Sequence, residues 1–136
     1  MCSSDLESET HIGQALRGRR HSVLIATKFG MKMHDGPMGM GGSRQHIMTC
    51  VEASLQRLQT DYIDLYQIHR VDRSVPIEET LRALDDLVRQ GKVRYIGCSN
   101  FAAWHLCEAE WTARRDGLEP FVSLQNYYNQ IGRAHV

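Results

Sequence analysis

Four short apolar runs in this sequence each stop at polar side chains: Lys28 after SVLIAT, His69 after DYIDLYQI, Ser99-Asn100 after VRYIGC, and Gln125 after FVSL. A cation, an imidazole, a hydroxyl and two carboxamides are groups that shift protons or hold polar ligands. They lie far apart along the chain. In a fold of parallel strands alternating with helices, however, all strand C-termini meet at one mouth, so these residues converge in space.

The elements that must position them follow from apolar spacing. Ile12, Ala15 and Leu16 fall at helical steps between 7 and about 17, with Gly18 as a stop. SVLIAT at 22–27 is a β-branched apolar run that predicts a strand buried on both faces. Residues 29–42 hold Gly30, Gly36, Pro37, Gly39, Gly41 and Gly42 among four methionines, which predicts a loop at the mouth. Ser43 is placed to cap a helix running to about 59, with Ile47, Val51, Leu55 and Leu58 as one stripe. DYIDLYQIH is a strand with Ile63, Leu65, Gln67 and His69 on one face. Pro76 opens and Gly91 closes an amphipathic helix, and VRYIGCS is the next strand. A helix from about 101 to 115 follows, in which Trp104, Leu106, Cys107 and Trp111 supply packing bulk. Gly117 and Pro120 end it before the last strand, 121–125. Strictly alternating strands and helices predict an α/β fold with parallel pairing and right-handed crossovers.

Composition narrows the function classes. Sixteen basic residues balance sixteen acidic ones, and Arg19-Arg20 is too short a run to grip a polyanion, so nucleic acid is not an expected partner. No apolar run approaches the roughly 20 residues that span a bilayer, and the polar N-terminus is unlike a signal sequence. Four cysteines form no C-x-x-C pair, which fits a reducing, cytoplasmic setting. The seven histidines include no pair with metal-ligand spacing, and no metal is expected.

The longer motifs point to a family. SETHIGQALRG, LIATKFG, SLQRLQTDYIDLYQIHRVD, EETLRALDDLVRQGKVRYIGCSNF and SLQNYYN resemble the aldo-keto reductases across nearly all of residues 7–130. That resemblance implies a (β/α)8 TIM barrel of which this chain spans about strands three to six. It implies reduction of a small-molecule carbonyl substrate, an aldehyde or ketone, with NADPH (NADP) or possibly NAD. By the same resemblance Lys28 and His69 are catalytic helpers, and Ser99, Asn100 and Gln125 hold the nicotinamide carboxamide. Family members also use a tyrosine proton donor and an aspartate, which lie just before the SExxxG segment. Here Ser8-Glu9 is preceded by Glu7 and then by the suspect stretch Met1 to Leu6, so neither can be named in this chain and the chain alone is expected to be inactive. Potassium-channel β subunits share the barrel and the cofactor site, so a regulatory nicotinamide-binding subunit is an alternative.

Both ends read as foreign. IGRAHV can be encoded by ATC-GGA-AGA-GCA-CAC-GTC, which resembles a short-read sequencing adaptor, and residues 1–6 can be encoded by its reverse complement read from a GTG start. Residues 1–6 and 131–136 are therefore expected to be adaptor translation around a natural stretch, 7–130, and the whole polypeptide can be read as an assembly artefact. An isolated piece of barrel leaves open sheet edges and is expected to aggregate or remain molten. Local readings compete with the catalytic ones. Ser99 and Asn100 stand where they could cap the following helix, and Lys28 could be a snorkelling strand end. Glu78-Glu79 and Asp85-Asp86 read as solvated helix faces, and Trp104 and Trp111 as helix packing.

Overall fold

A computed structural model describes residues 3–31 and 40–127. Helix α1 (Ser3–Ala15) leads through a 3-10 turn at Arg20–Ser22 into β1 (Ala26–Phe29). Then α2 (Arg44–Leu58), β2 (Ile63–Ile68), α3 (Ile77–Arg89), β3 (Val93–Ser99), α4 (Ala103–Asp116) and β4 (Ser123–Gln125) alternate. The strands form one parallel sheet in the order β1-β2-β3-β4, the α/β architecture of a partial (β/α)8 barrel.

Each boundary has a local cause. Ser43 is extended, with its hydroxyl accepting the His46 N–H at 3.3 Å, and α2 ends where Gln59 turns left-handed at φ 54°. Ile47, Val51, Leu55 and Leu58 are buried as the helical stripe requires, and Leu81, Leu84 and Leu87 do the same for α3. Phe29, Tyr66, Ile68, Ile96 and Cys98 join them in one core, with the Phe29 and Tyr66 rings stacked 4.8 Å apart.

The opposite face of the sheet carries Lys28 and Gln67. Lys28 pairs in register with Gln67, Gln67 with Gly97, and Gly97 with Ser123, so the four share a face by strand alternation. Tyr95, two residues before Gly97 on that face, is 61% exposed, so the face is open among the described residues.

Several expectations change. The run at 22–27 is not a doubly buried strand, since pairing begins only at Ala26 and Leu24 is 87% exposed. The Asp64 carboxylate takes the Ile25 N–H at 2.9 Å and the Arg20 guanidinium at 2.7 Å, which ends the ladder before residue 25. On α4 the buried residues are His105, Ala109, Thr112 and Ala113, and both tryptophans lie outside the core, Trp104 59% and Trp111 64% exposed. Their indoles instead meet Arg73 and Arg115 guanidinium groups at 6.0 and 5.3 Å. Asp85 is not a solvated face residue either. It is 5% exposed, accepts the Glu119 N–H at 3.0 Å and pairs with Arg89 at 2.6 Å, tying α3 to the segment after α4. In the Gly/Met segment, residues 32–39 lie outside the described residues. Its two ends are pinned together by the Gly41 N–H to Gly30 carbonyl bond at 3.2 Å.

Candidate active site at the C-terminal end of the sheet

Helix α1 and strand β1 place Lys28. Glu9 of α1 is buried, accepts the Thr27 hydroxyl at 2.5 Å and pairs with Arg57 of α2 at 2.7 Å. Gly13 makes this possible, because a Cβ there would stand 2.4 Å from the Arg57 carbonyl oxygen and 2.8 Å from that of Leu58. Lys28 is therefore a residue within β1 rather than one beyond its end, half-buried, with no ion pair among the described residues.

His69 follows β2 directly and is held by its own N–H, which donates to the Phe29 carbonyl at 2.9 Å. Lys28, Ala26, Met31 and His69 line one cavity of about 280 Å³, which continues past Thr27 to Glu9 on α1. The His69 Nδ1 is buried without a hydrogen-bond partner. A buried bare acceptor is tolerated better than a buried orphan N–H, so the neutral ring favours the proton on Nε2.

Ser99, Asn100 and Gln125 form a second group in contact with the first. Asn100 adopts a left-handed φ of 55°, which asparagine tolerates. That turn aims its Nδ2 at the His69 carbonyl, 3.1 Å away, and at the Ser99 Oγ, 3.2 Å away. The Ser99 hydroxyl donates to the Gln125 carbonyl at 2.6 Å, and the Asn100 N–H donates to the same oxygen at 3.2 Å. Asn126 Nδ2 latches onto the Phe101 carbonyl at 3.1 Å. Neither Ser99 nor Asn100 caps α4: the capping position is Ala102, with no side-chain cap bond. All five sequence-predicted residues thus sit at or just below the C-terminal end of one sheet. Lys28 is level with Gln67, Gly97 and Ser123, two residues below His69, Ser99 and Gln125.

Residues 4–135 match the model for the aldo/keto reductase family. The chain belongs to that family. Among curated aldo/keto reductases it is 52% identical over 147 residues to versiconal hemiacetal acetate reductase of Aspergillus parasiticus, covering 93% of this chain and 43% of that protein. It is 50% identical over 93 residues to aldo-keto reductase dtxS3 of Metarhizium robertsii, covering 68% and 25%. With aldo-keto reductase AMT2 of Alternaria alternata the identity is 40% over 156 residues, covering 96% and 42%. The chain therefore spans less than half the length of these relatives.

Two groups that shape this end of the sheet had no clear signal in the sequence. Glu9 braces β1, and Gln67 bonds Ser123 at 3.2 Å beneath the mouth. A lone amide on the His69 face of an otherwise apolar strand was the available signal for Gln67. Among the described residues no three His, Cys, Asp or Glu side chains gather as metal ligands, and no helix is long and apolar enough to cross a membrane.

Proposed function

We propose that residues 7–130 are the middle of an NADPH-dependent reductase of aldehyde or ketone carbonyls, and that Lys28, His69, Ser99, Asn100 and Gln125 are its site residues. The observation that supports this reading best is their gathering at one end of one parallel sheet in a chain of this family.

The side chains fit a nicotinamide carboxamide, which needs both a donor and acceptors. Asn100 Oδ1 and the whole Gln125 side-chain amide have no hydrogen bond to the described residues, while Asn100 Nδ2 and the Ser99 hydroxyl proton are already used inside the protein. Asn100 and Gln125 are thus the holding groups, and Ser99 is mainly their brace. The bound cofactor supplies a hydride to the carbonyl carbon. His69 Nε2–H donates a hydrogen bond to the carbonyl oxygen, which orients it and stabilises the negative charge that develops there. The Lys28 ammonium lowers the pKa of an adjacent tyrosine from about 10 towards neutrality, so that the phenol can give up its proton. That tyrosine and its partner aspartate come from a segment preceding residue 7 in the full-length protein, and residues 1–6 and 131–136 are adaptor translation. The chain alone is accordingly inactive.

Substrates follow the same chemistry: small carbonyl compounds, including those stored as hemiacetals, as the name of the Aspergillus parasiticus relative indicates for that protein. The test is oxidation of NADPH by the full-length protein with a panel of aldehydes and ketones. Turnover lost on Lys28→Met or His69→Ala is the expected result. No turnover in the full-length protein with any carbonyl, despite cofactor binding, overturns the reading and favours a regulatory subunit. Genomic reads that continue the frame unchanged through residues 1–6 and 131–136 overturn the adaptor assignment.

A further inference from the structure

The stretch after β1 is fastened to the stretch after β2 by a short set of bonds. The Gly41 N–H to Gly30 carbonyl bond, 3.2 Å, brings the two ends of the first stretch together. Gly42 is then held at both of its backbone groups. Its N–H donates to the Asp72 Oδ2 at 2.9 Å, and its carbonyl accepts the Thr80 hydroxyl at 2.7 Å. The other Asp72 oxygen accepts the Ser74 N–H at 2.9 Å and the Ser74 hydroxyl at 2.6 Å, so the carboxylate is itself fixed. Burial works to raise the Asp72 carboxyl, but the Ser74 hydroxyl and the Gly42 and Ser74 N–H groups outweigh it and keep the group an ionised acceptor. The partners must be bare: a Cβ on Gly41 would overlap the Asp72 carboxylate, and one on Gly42 would lie 2.7 Å from the Thr80 Oγ1.

The stretch that carries Asp72 begins with His69. Gly30 packs on the His69 main chain, where a Cβ on Gly30 would lie 3.7 Å from the His69 nitrogen. Met31 follows, its Sδ 3.5 Å from the Arg70 Nη2, and shares a cavity with Lys28 and His69. We propose that Asp72 is a positioning residue for the carbonyl substrate: by gripping Gly42 it holds Gly41 against Gly30, and so sets where Gly30 and Met31 stand beside the His69 ring. Every partner in this set lies in the connections after β1 and β2 or in α3, so the grip does not depend on strands outside them. Asp72 reaches the substrate only through Gly30 and Met31. The proposal rests on the reading that His69 binds the carbonyl oxygen.

The test uses the full-length protein carrying Asp72→Asn or Thr80→Val. In Asp72→Asn the single side-chain oxygen is drawn to the two Ser74 donors, which leaves the NH2 facing the Gly42 N–H. Thr80→Val keeps the shape and loses the hydroxyl. Ser74→Ala is the control, since it leaves the Gly42 bond in place. Steady-state kinetics are run with a small aliphatic and a bulky aromatic aldehyde, NADPH affinity is measured by calorimetric titration, and amide hydrogen exchange is followed at Gly42. Loss of one ordinary hydrogen bond corresponds to a change of about three- to tenfold in an equilibrium constant. Both variants are expected to speed exchange at Gly42 and to raise KM by up to that factor, more for the bulky aldehyde, with NADPH affinity unchanged. Ser74→Ala should leave both KM values as they are. A merely structural role would lower the melting temperature and affect both aldehydes alike. If Asp72→Asn and Thr80→Val leave the ratio of the two KM values unchanged, or if Ser74→Ala shifts it as much as they do, the positioning role is refuted. If His69→Ala turns over both aldehydes as well as the parent, the reading of His69 falls and takes this proposal with it.

Discussion

Replacing Gly13 by alanine should loosen β1, the strand that carries Lys28, from a distance. The new methyl carbon would meet Arg57 O at 2.4 Å, Leu58 C at 2.7 Å and Leu58 O at 2.8 Å, all backbone atoms of the last turn of α2. Backbone cannot swing aside as a side chain can, so α1 must move outward by roughly 0.5–1 Å to regain ordinary contact. That displacement stretches the two bonds Glu9 makes, at 2.5 Å to Thr27 and 2.7 Å to Arg57. Overpacking costs about 1–3 kcal/mol. Weakening hydrogen bonds to a buried carboxylate adds to it, for an expected total of about 2–4 kcal/mol. Against a typical domain stability of about 5–15 kcal/mol that is a large fraction. The assay is urea unfolding of the full-length protein followed by far-ultraviolet circular dichroism, together with amide exchange at Thr27 and Lys28. Glu9→Gln should reproduce part of the loss without the steric component. Gly18→Ala is the control, since its φ of 71° makes alanine strained but nothing lies within 4 Å. A Gly13→Ala protein that unfolds within about 0.5 kcal/mol of the parent would refute the close-approach argument.

Two further expectations concern charge and the mouth. Burial works to raise the Asp64 carboxyl, but the Ile25 N–H and the Arg20 guanidinium outweigh it and hold the group below the usual carboxylate range. A depressed folded-state pKa adds stability above the unfolded value of about 3.9 and loses it as pH falls further, through the folded one. Acid titration of stability should therefore be shallower below about pH 4 in Asp64→Asn, and an unchanged acid limb would count against this assignment. At the mouth, Asn100→Gly keeps the left-handed turn and removes the bond to the His69 carbonyl, whereas Asn100→Ala strains the turn as well. Asn100→Ala should thus lower kcat more than Asn100→Gly, and equal losses would show that the turn is not what matters.

Much of this arrangement was readable from local pattern. The stripe of Ile47, Val51, Leu55 and Leu58 and the alternation in DYIDLYQIH depend on neighbours within one element, so α2 and β2 fall where periodicity puts them. The placement of Lys28, His69, Ser99, Asn100 and Gln125 at one end of the sheet was readable because each stands at or beside a strand end. What escaped depends on partners distant in sequence. Val23 and Leu24 look like buried strand until Asp64, from the neighbouring strand, captures the Ile25 N–H. Asp85 looks solvated until the chain beyond Gly117 returns to bring the Glu119 N–H. The Gln67–Ser123 bond joins strands that are not adjacent, across 56 positions of sequence, and no local spacing encodes it.

The surface placement of the two tryptophans decides what optical experiments on this 136-residue chain can see. Trp104 and Trp111 are the only indoles in the chain, and both sit on the solvent side of α4, where Trp104 lies against the His105 ring with centroids 3.5 Å apart. Their emission starts out close to that of a hydrated indole, so unfolding leaves little room for a red shift. Intensity changes will follow the Trp104–His105 contact and the local fraying of α4, and can finish before or after the sheet itself gives way. A fluorescence melt and a circular dichroism melt of this 136-residue chain should therefore disagree, and the disagreement locates α4 rather than signalling an intermediate of the sheet.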